Sequence, residues 1–240
     1  MNAAATSGAL APGGVSLALT LALIGLIPFA FLVLTSFVKI STVLQIARSA
    51  LGASGIPSST VIMALSAAMT LLVMAPVGER MLSAARPQLA PSAQPGPGGP
   101  DAGKSTDTLS LQMWLSATQA ASEPLRDFLV RNAAPREVTR FYDLARGMRP
   151  VDQKDRVTKG DFAVIIPAFL VSELLAAFAL GFAIFLPFLV IDLVVGNVLL
   201  GLGLTSLSVT QASLPFKLLL FVAADGWGLM AQSLISSYRI

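Results

Sequence analysis

Cysteine and histidine are both missing from the 240 residues. Without cysteine there is no disulfide, thiolate metal site or cysteine nucleophile. Without histidine the chain lacks the side chain most often used for proton transfer near neutral pH and for metal ligation. Charge is also scarce, at 12% of residues against 55% hydrophobic, with a mean hydropathy of +0.76. An ordinary soluble chain carries roughly twice that charged fraction. The 16 Lys and Arg against 13 Asp and Glu give a net charge of +3, too few cations for a nucleic-acid-binding patch. No phosphate-cradling glycine motif of the P-loop kind is present. These absences exclude much hydrolytic, redox and nucleotide chemistry, and the chain is expected to be non-enzymatic, with no cofactor, no metal and no nucleic-acid partner.

The charges that remain are sharply partitioned. Residues 79–161 hold 22 of the 29, and only Lys39, Arg48, Glu173, Asp192, Lys217, Asp225 and Arg239 lie elsewhere. Apolar blocks around one hydrophilic insert are the layout of a membrane protein. Three parts follow: an N-terminal membrane region over 1–78, the insert over 79–161, and a C-terminal membrane region over 162–240. No strand alternation or internal repeat is present, so the expected fold is all-α, with four or five long apolar helices.

Val15 to Val38 is uncharged and long enough for one span of about 20 residues. It lacks the basic flank and short apolar run of a secretory signal, so it reads as mature chain. Pro57 opens a second uncharged run to Gly78, as proline is tolerated at a first helical turn. Phe162 to Leu207 carries only Glu173 and Asp192 in 46 residues. As one helix it would measure roughly 69 Å, more than double a bilayer core. It either breaks near Pro187 or near Gly196, Gly201 and Gly203, or forms one long helix buried largely in protein. Gly181, Gly196, Asn197, Gly201 and Gly203 favour tight helix packing or a break. A last block runs from Ser213 to Tyr238.

Within the insert, Pro87 to Gly103 has five Pro and four Gly and is expected to be a mobile loop. Leu109 to Asn132 places Leu111, Trp114, Leu115, Leu125, Phe128 and Leu129 at helical steps, an amphipathic pattern broken at Pro124. A small helical subdomain with a docking surface is expected there. Lys39 and Arg48 in the first connection place that connection in the cytoplasm and the insert on the periplasmic side.

Glu173, Asp192, Lys217 and Asp225 sit in apolar company, where an unpaired ion at bilayer depth costs about 2.5 kcal/mol or more. Each needs a partner. Lys217 and Asp225 are eight residues apart, too far for a direct bond along one helix, so a carboxylate from another helix or subunit is required, with Glu173 or Asp192 the candidates for Lys217. Ion pairs that fix helix register are one reading. A proton relay through Glu173 and Asp192 in a small-solute transporter is the alternative.

Three stretches carry a resemblance: TSFVKISTVLQIARSALG from Thr35 to Gly52, SELLAAFALGFAIFLPFLVID from Ser172 to Asp192 with LVVGNVLLGLG after it, and SLPFKLLLFVAADGW from Ser213 to Trp227. With VMAP at Val73 to Pro76, they resemble the FliP/SctR export-apparatus proteins of bacterial type III secretion. The resemblance implies a pentamer in the inner membrane, joined by SctS-like and SctT-like membrane proteins in a helical cone displaced towards the periplasm. That cone would pass unfolded protein substrates. It also implies that intramembrane charges such as Lys39, Glu173, Asp192, Lys217 and Asp225 pair between helices or subunits. Where the family has a gasket loop rich in methionine, this chain has Leu204, Thr205, Ser206 and Leu207, so a seal would rest on Leu204 and Leu207. Two further departures are Ala53 to Ile56 before Pro57, where a Gln pair is frequent, and Leu175, where a polar residue is usual. Flagellar members usually begin with a cleavable signal peptide, and its absence here points to an injectisome-type member.

Overall fold

The computed structural model describes residues 21, 25–26, 28–52, 57–89 and 102–239. All regular structure among them is helical. A short α1 (Pro28–Leu34) bends by 80° into α2 (Phe37–Leu51). The chain continues through α3 (Ser59–Leu89), α4 (Ala102–Asn132), α5 (Pro135–Gly147), a 3-10 turn (Val151–Arg156), α6 (Phe162–Gly201), α7 (Val209–Ala223) and α8 (Gly226–Ser236). By length and apolarity α3 and α6 are each able to cross a membrane, and up to four spans result if the bent pairs α1–α2 and α7–α8 each count as one.

The core gathers around α2. Ile40, Val43, Leu44 and Ala47 recur at three- and four-residue steps on one buried stripe, the pattern of a helix facing a core. They join Ile62, Met69, Val73 and Val77 of α3, Phe128 and Leu129 of α4, and Ile165, Phe169 and Ala177 of α6. The insert's main helix therefore shares this core with the apolar helices. It is not a separate packing unit, and the division expected at 78/79 falls inside continuous α3.

Several expectations change. The 80° bend at Thr35–Ser36 turns the chain before Val38, so Val15 to Val38 is not one straight span; of it, 15–20, 22–24 and 27 lie outside the described residues. Thr35 stabilises the corner, its hydroxyl donating to the Phe31 carbonyl at 2.5 Å and accepting from the Phe37 amide at 3.3 Å. The predicted Pro87–Gly103 loop narrows at both ends, since α3 runs through Pro87 to Leu89 and α4 starts at Ala102; residues 90–101 lie outside those described, as does the Ala53–Ile56 departure. No break occurs at Pro124, and α4 runs on to Asn132 because Phe128 and Leu129, one turn later, are locked in the core. The side chains of Leu111 and Trp114 fall outside the described set.

The long third block resolves as one helix. α6 passes through Pro167, Pro187 and Gly196 and ends only at Gly201, a length of about 60 Å. Proline removes one backbone donor, and a long apolar helix keeps its remaining hydrogen bonds where water offers no substitute. Little of this helix is buried within the chain, however: beyond Gly181 only Phe188 is buried, and Val190, Leu193, Val194, Val198 and Leu200 are exposed.

Candidate functional site

Four of the five sequence-predicted charges fall into two clusters, both anchored on α2. In the first, Lys39 near the start of α2 places Nζ 3.2 Å from Glu173 Oε1 of α6. The Tyr238 hydroxyl, just past α8, bonds the other Glu173 oxygen and reaches the Ser36 carbonyl at 3.1 Å. The Lys39 ammonium also lies 3.7 Å from the centre of the Tyr238 ring. All three side chains are buried. The Tyr238 hydroxyl is thus held between the Glu173 carboxylate and the Ser36 carbonyl, both of them acceptors. Asn132 holds the chain end in place, accepting from the Arg239 amide at 3.0 Å and donating to its carbonyl at 3.1 Å.

The second cluster lies at the other end of α2. Lys217 of α7 places Nζ 2.7 Å from Asp192 Oδ2 of α6 and 3.1 Å from the Ala50 carbonyl. Asp192 also accepts from the Ser213 hydroxyl at 2.5 Å. The Ala50 carbonyl is one of the last of α2, which has no intrahelical partner, so Lys217 caps α2 and joins it to the α6–α7 hairpin at once. Gly52 ends α2 at φ 71°, and a side chain there would sit 2.9 Å from Thr210. Only glycine fits both the left-handed backbone and the close approach.

Of the candidate charges, the fold thus brings Asp192 to Lys217 and Glu173 to Lys39. Each carboxylate is engaged in its own pair, an arrangement that joins helices. Asp225 joins neither cluster. It stands at φ 49° in the 58° bend between α7 and α8, and no ion pair among the described residues engages it. The left-handed region is one that aspartate tolerates better than most side chains.

Leu204, Thr205, Ser206 and Leu207 form the exposed turn joining α6 to α7, entered through Gly203 at φ 71°. Both leucines project from the protein surface, at 43% and 53% exposure. The turn sits above the Lys217–Asp192–Ser213 cluster, which ties the hairpin together at its base. Apolar Val190, Val194, Val198 and Phe216 line an open groove of about 470 Å³ along the same hairpin.

Tyr238, Ser213, Asn132 and the Ala50 carbonyl were not among the expected site residues. A faint signal existed for Tyr238, since a tyrosine closing an apolar block usually finds a partner for its hydroxyl. Nothing in the sequence separates Ser213 from other helix serines.

Comparison with known proteins assigns the chain to a family. The FliP family pattern matches residues 20–234. The chain is 38% identical over 217 residues to the Pathogenicity-related ORF2 protein of Xanthomonas campestris pv. glycines, covering 90% of this chain and 93% of that one. It is 36% identical over 230 residues to the Yop proteins translocation protein R of Yersinia pestis, covering 95% and 97%. Against the flagellar biosynthetic protein FliP of Caulobacter vibrioides the identity is also 36%, but the match spans 73% of that protein. The chain belongs to the FliP family, and the pathogenicity and translocation proteins among its relatives favour the injectisome type.

Proposed function

We propose that this protein is a core structural subunit of the type III secretion export gate in the bacterial inner membrane, with copies closing into a cone through which unfolded proteins are exported. Family membership carries the reading, and the exposed apolar half of α6 supports it. A helix of about 60 Å is twice the bilayer core, so part of its uncovered surface needs protein neighbours. In the proposed assembly these are further copies, forming a pentamer, and the SctS-like and SctT-like membrane subunits. The insert lies on the periplasmic side.

Opening and closing would reside in the α6–α7 turn. Leu204 and Leu207, projecting into a shared axis, give an apolar constriction at rest, with Thr205 and Ser206 turning the backbone between them. The Lys217–Asp192 pair holds each hairpin at its base and sets the height of that turn. Energy for export comes from elsewhere in the apparatus, and the chain contributes shape and gating.

Two experiments test this reading. Extraction in mild detergent followed by mass measurement should give a discrete assembly containing two smaller membrane proteins, and a lone chain active by itself sinks it. Replacing both Leu204 and Leu207 with Gly should raise resting ion leakage severalfold without loss of the assembly. Unchanged leakage and unchanged secretion would remove the turn from the gate.

A further inference from the structure

A second cavity lies away from the α6–α7 turn, beside residues 172–180 of α6. It measures about 310 Å³ and opens where the hydrophilic insert meets the apolar helices, between the start of α2, the α4–α5 connection, α6 and the chain end. Its polar wall carries Lys39, Arg131 and Arg239, with Glu173 already held by Lys39 and Tyr238. A small adjoining recess shares Arg131 and Arg239 and adds Arg80 and Asp127. Four cations therefore face two carboxylates. Arg131 and Arg239 join no ion pair among the described residues. Their backbones are held side by side: that of Arg239 is fixed by both ends of the Asn132 amide, and Asn132 is the neighbour of Arg131 in the same helix.

The opposite wall is apolar. Ala176 and Leu180 of α6, one turn apart on the same face, continue the lining down the helix. One end of the cavity thus suits an anion and the other suits hydrocarbon. Ser172 ties the α4–α5 corner to α6, accepting from the Ala134 amide at 2.8 Å and donating to the Ala168 carbonyl at 2.6 Å.

We infer that this cavity binds the phosphate headgroup of an anionic phospholipid, with Arg131 and Arg239 on the phosphate and the acyl chains along Ala176 and Leu180. Guanidinium groups match phosphate oxygens in pairs, and basic pockets between membrane helices are a known setting for anionic headgroups. The apolar exit favours a lipid over a soluble anion, which would leave Ala176 and Leu180 facing water. Bound there, the lipid would fasten the chain end and the insert to α6.

The test uses the purified full chain in a neutral detergent, titrated with phosphatidylglycerol, phosphatidylcholine or inorganic phosphate, read by native mass spectrometry and by melting temperature. Phosphatidylglycerol should be retained and should raise the melting temperature, with phosphatidylcholine and inorganic phosphate doing neither at equal concentration. Each cation near an anionic surface is worth a factor of about 5, so the Arg131→Ala/Arg239→Ala double variant should hold phosphatidylglycerol more than about tenfold less tightly. Arg149→Ala, an exposed cation outside the cavity, should retain it fully. If the double alanine variant melts early without lipid, the Arg131→Gln/Arg239→Gln variant keeps the side-chain bulk and should show the same selective loss. Unaltered retention by either double variant, or equal retention of phosphatidylcholine by the natural chain, overturns the proposal. Protection by inorganic phosphate alone also overturns it, and assigns the cavity to a soluble anion instead.

Discussion

The two halves of α6 have nearly the same composition and opposite surroundings. From Val164 to Gly181 the helix contributes Val164, Ile165, Ala168, Phe169, Ser172, Glu173 and Ala177 to the interior, packed on α2, α4 and α5. From Phe182 to Gly201 only Phe188 is buried, although the residues are as apolar as before. The comparison teaches that apolar sequence specifies only that a surface must avoid water. Which neighbour it avoids water with is decided by what the rest of the chain can reach, and here α2, α4 and α5 pack on the first half, while the second has α7 beside it and buries only Phe188, against Phe221.

The sharpest test of that contrast uses two phenylalanines. Phe169 has no exposed surface and touches the Phe128 ring, with centroids 5.8 Å apart. Phe169→Ala should destabilise the isolated chain by about 3–5 kcal/mol, read from denaturant melts in detergent. Phe182 is 62% exposed, and Phe182→Ala should leave the same melt within about 0.5 kcal/mol yet weaken the assembly. Equal effects on the melt would erase the distinction between the halves.

Next in size is the pair that joins the open half to α2. Lys217→Ala removes one buried partner and strands both Asp192 and the Ala50 carbonyl. Asp192 is partly solvent-exposed, so the loss should fall at about 2–3 kcal/mol, towards the lower side of what breaking a buried pair costs. The reversed pair, Lys217→Asp with Asp192→Lys, should recover part of it, while the reversal with Glu173 should not, because Glu173 is held by Lys39 and Tyr238. Recovery with Glu173 alone would mean the hairpin seats differently in the assembly.

The same two halves show what could be read from residues alone. An all-helical membrane chain was legible from the charge partition, and so was the need for partners at Glu173, Asp192 and Lys217. Which partner each takes was not. Pairing depends on where α2 crosses α6, and that crossing is set by side-chain fit far from either charge. The glycines make the point: Gly181 and Gly196 look alike in sequence, both small residues in one apolar run. In the fold a side chain at Gly181 would meet Ile46 Cδ1 at 2.5 Å, with Ile46 Cβ at 3.2 Å behind it, whereas at Gly196 the nearest atoms are those of Val209, at 3.6 Å. Gly181→Ala should therefore cost about 1–3 kcal/mol, because β-branched Ile46 cannot swing clear. Gly196→Ala should be neutral or stabilising by up to about 1 kcal/mol from helix propensity, again by thermal melt. The unbroken passage through Pro124 and Pro187 was illegible for a related reason: a proline marks where a helix loses a bond, and only the packing on either side determines whether it stops.

The smallest expected effect lies at the entrance to the packed half. Asp161 precedes α6 and accepts from the Thr158 hydroxyl at 2.6 Å and amide at 3.0 Å. These bonds favour the carboxylate and hold it below its ordinary range. A group whose acidity is strengthened by folding adds stability above its unfolded pKa and loses it as pH falls through the lower folded value. Asp161→Asn should thus lower the melt by about 0.5 kcal/mol at pH 7, the scale of a single hydrogen bond weakened by nearby solvent. The gap between variant and natural chain should shrink below about pH 4 and close as Asp161 protonates, whatever other groups titrate in both. A gap that persists unchanged in acid would mean that the substituted amide fails for reasons of shape, and that the turn into α6 is held by packing with no contribution from the charge.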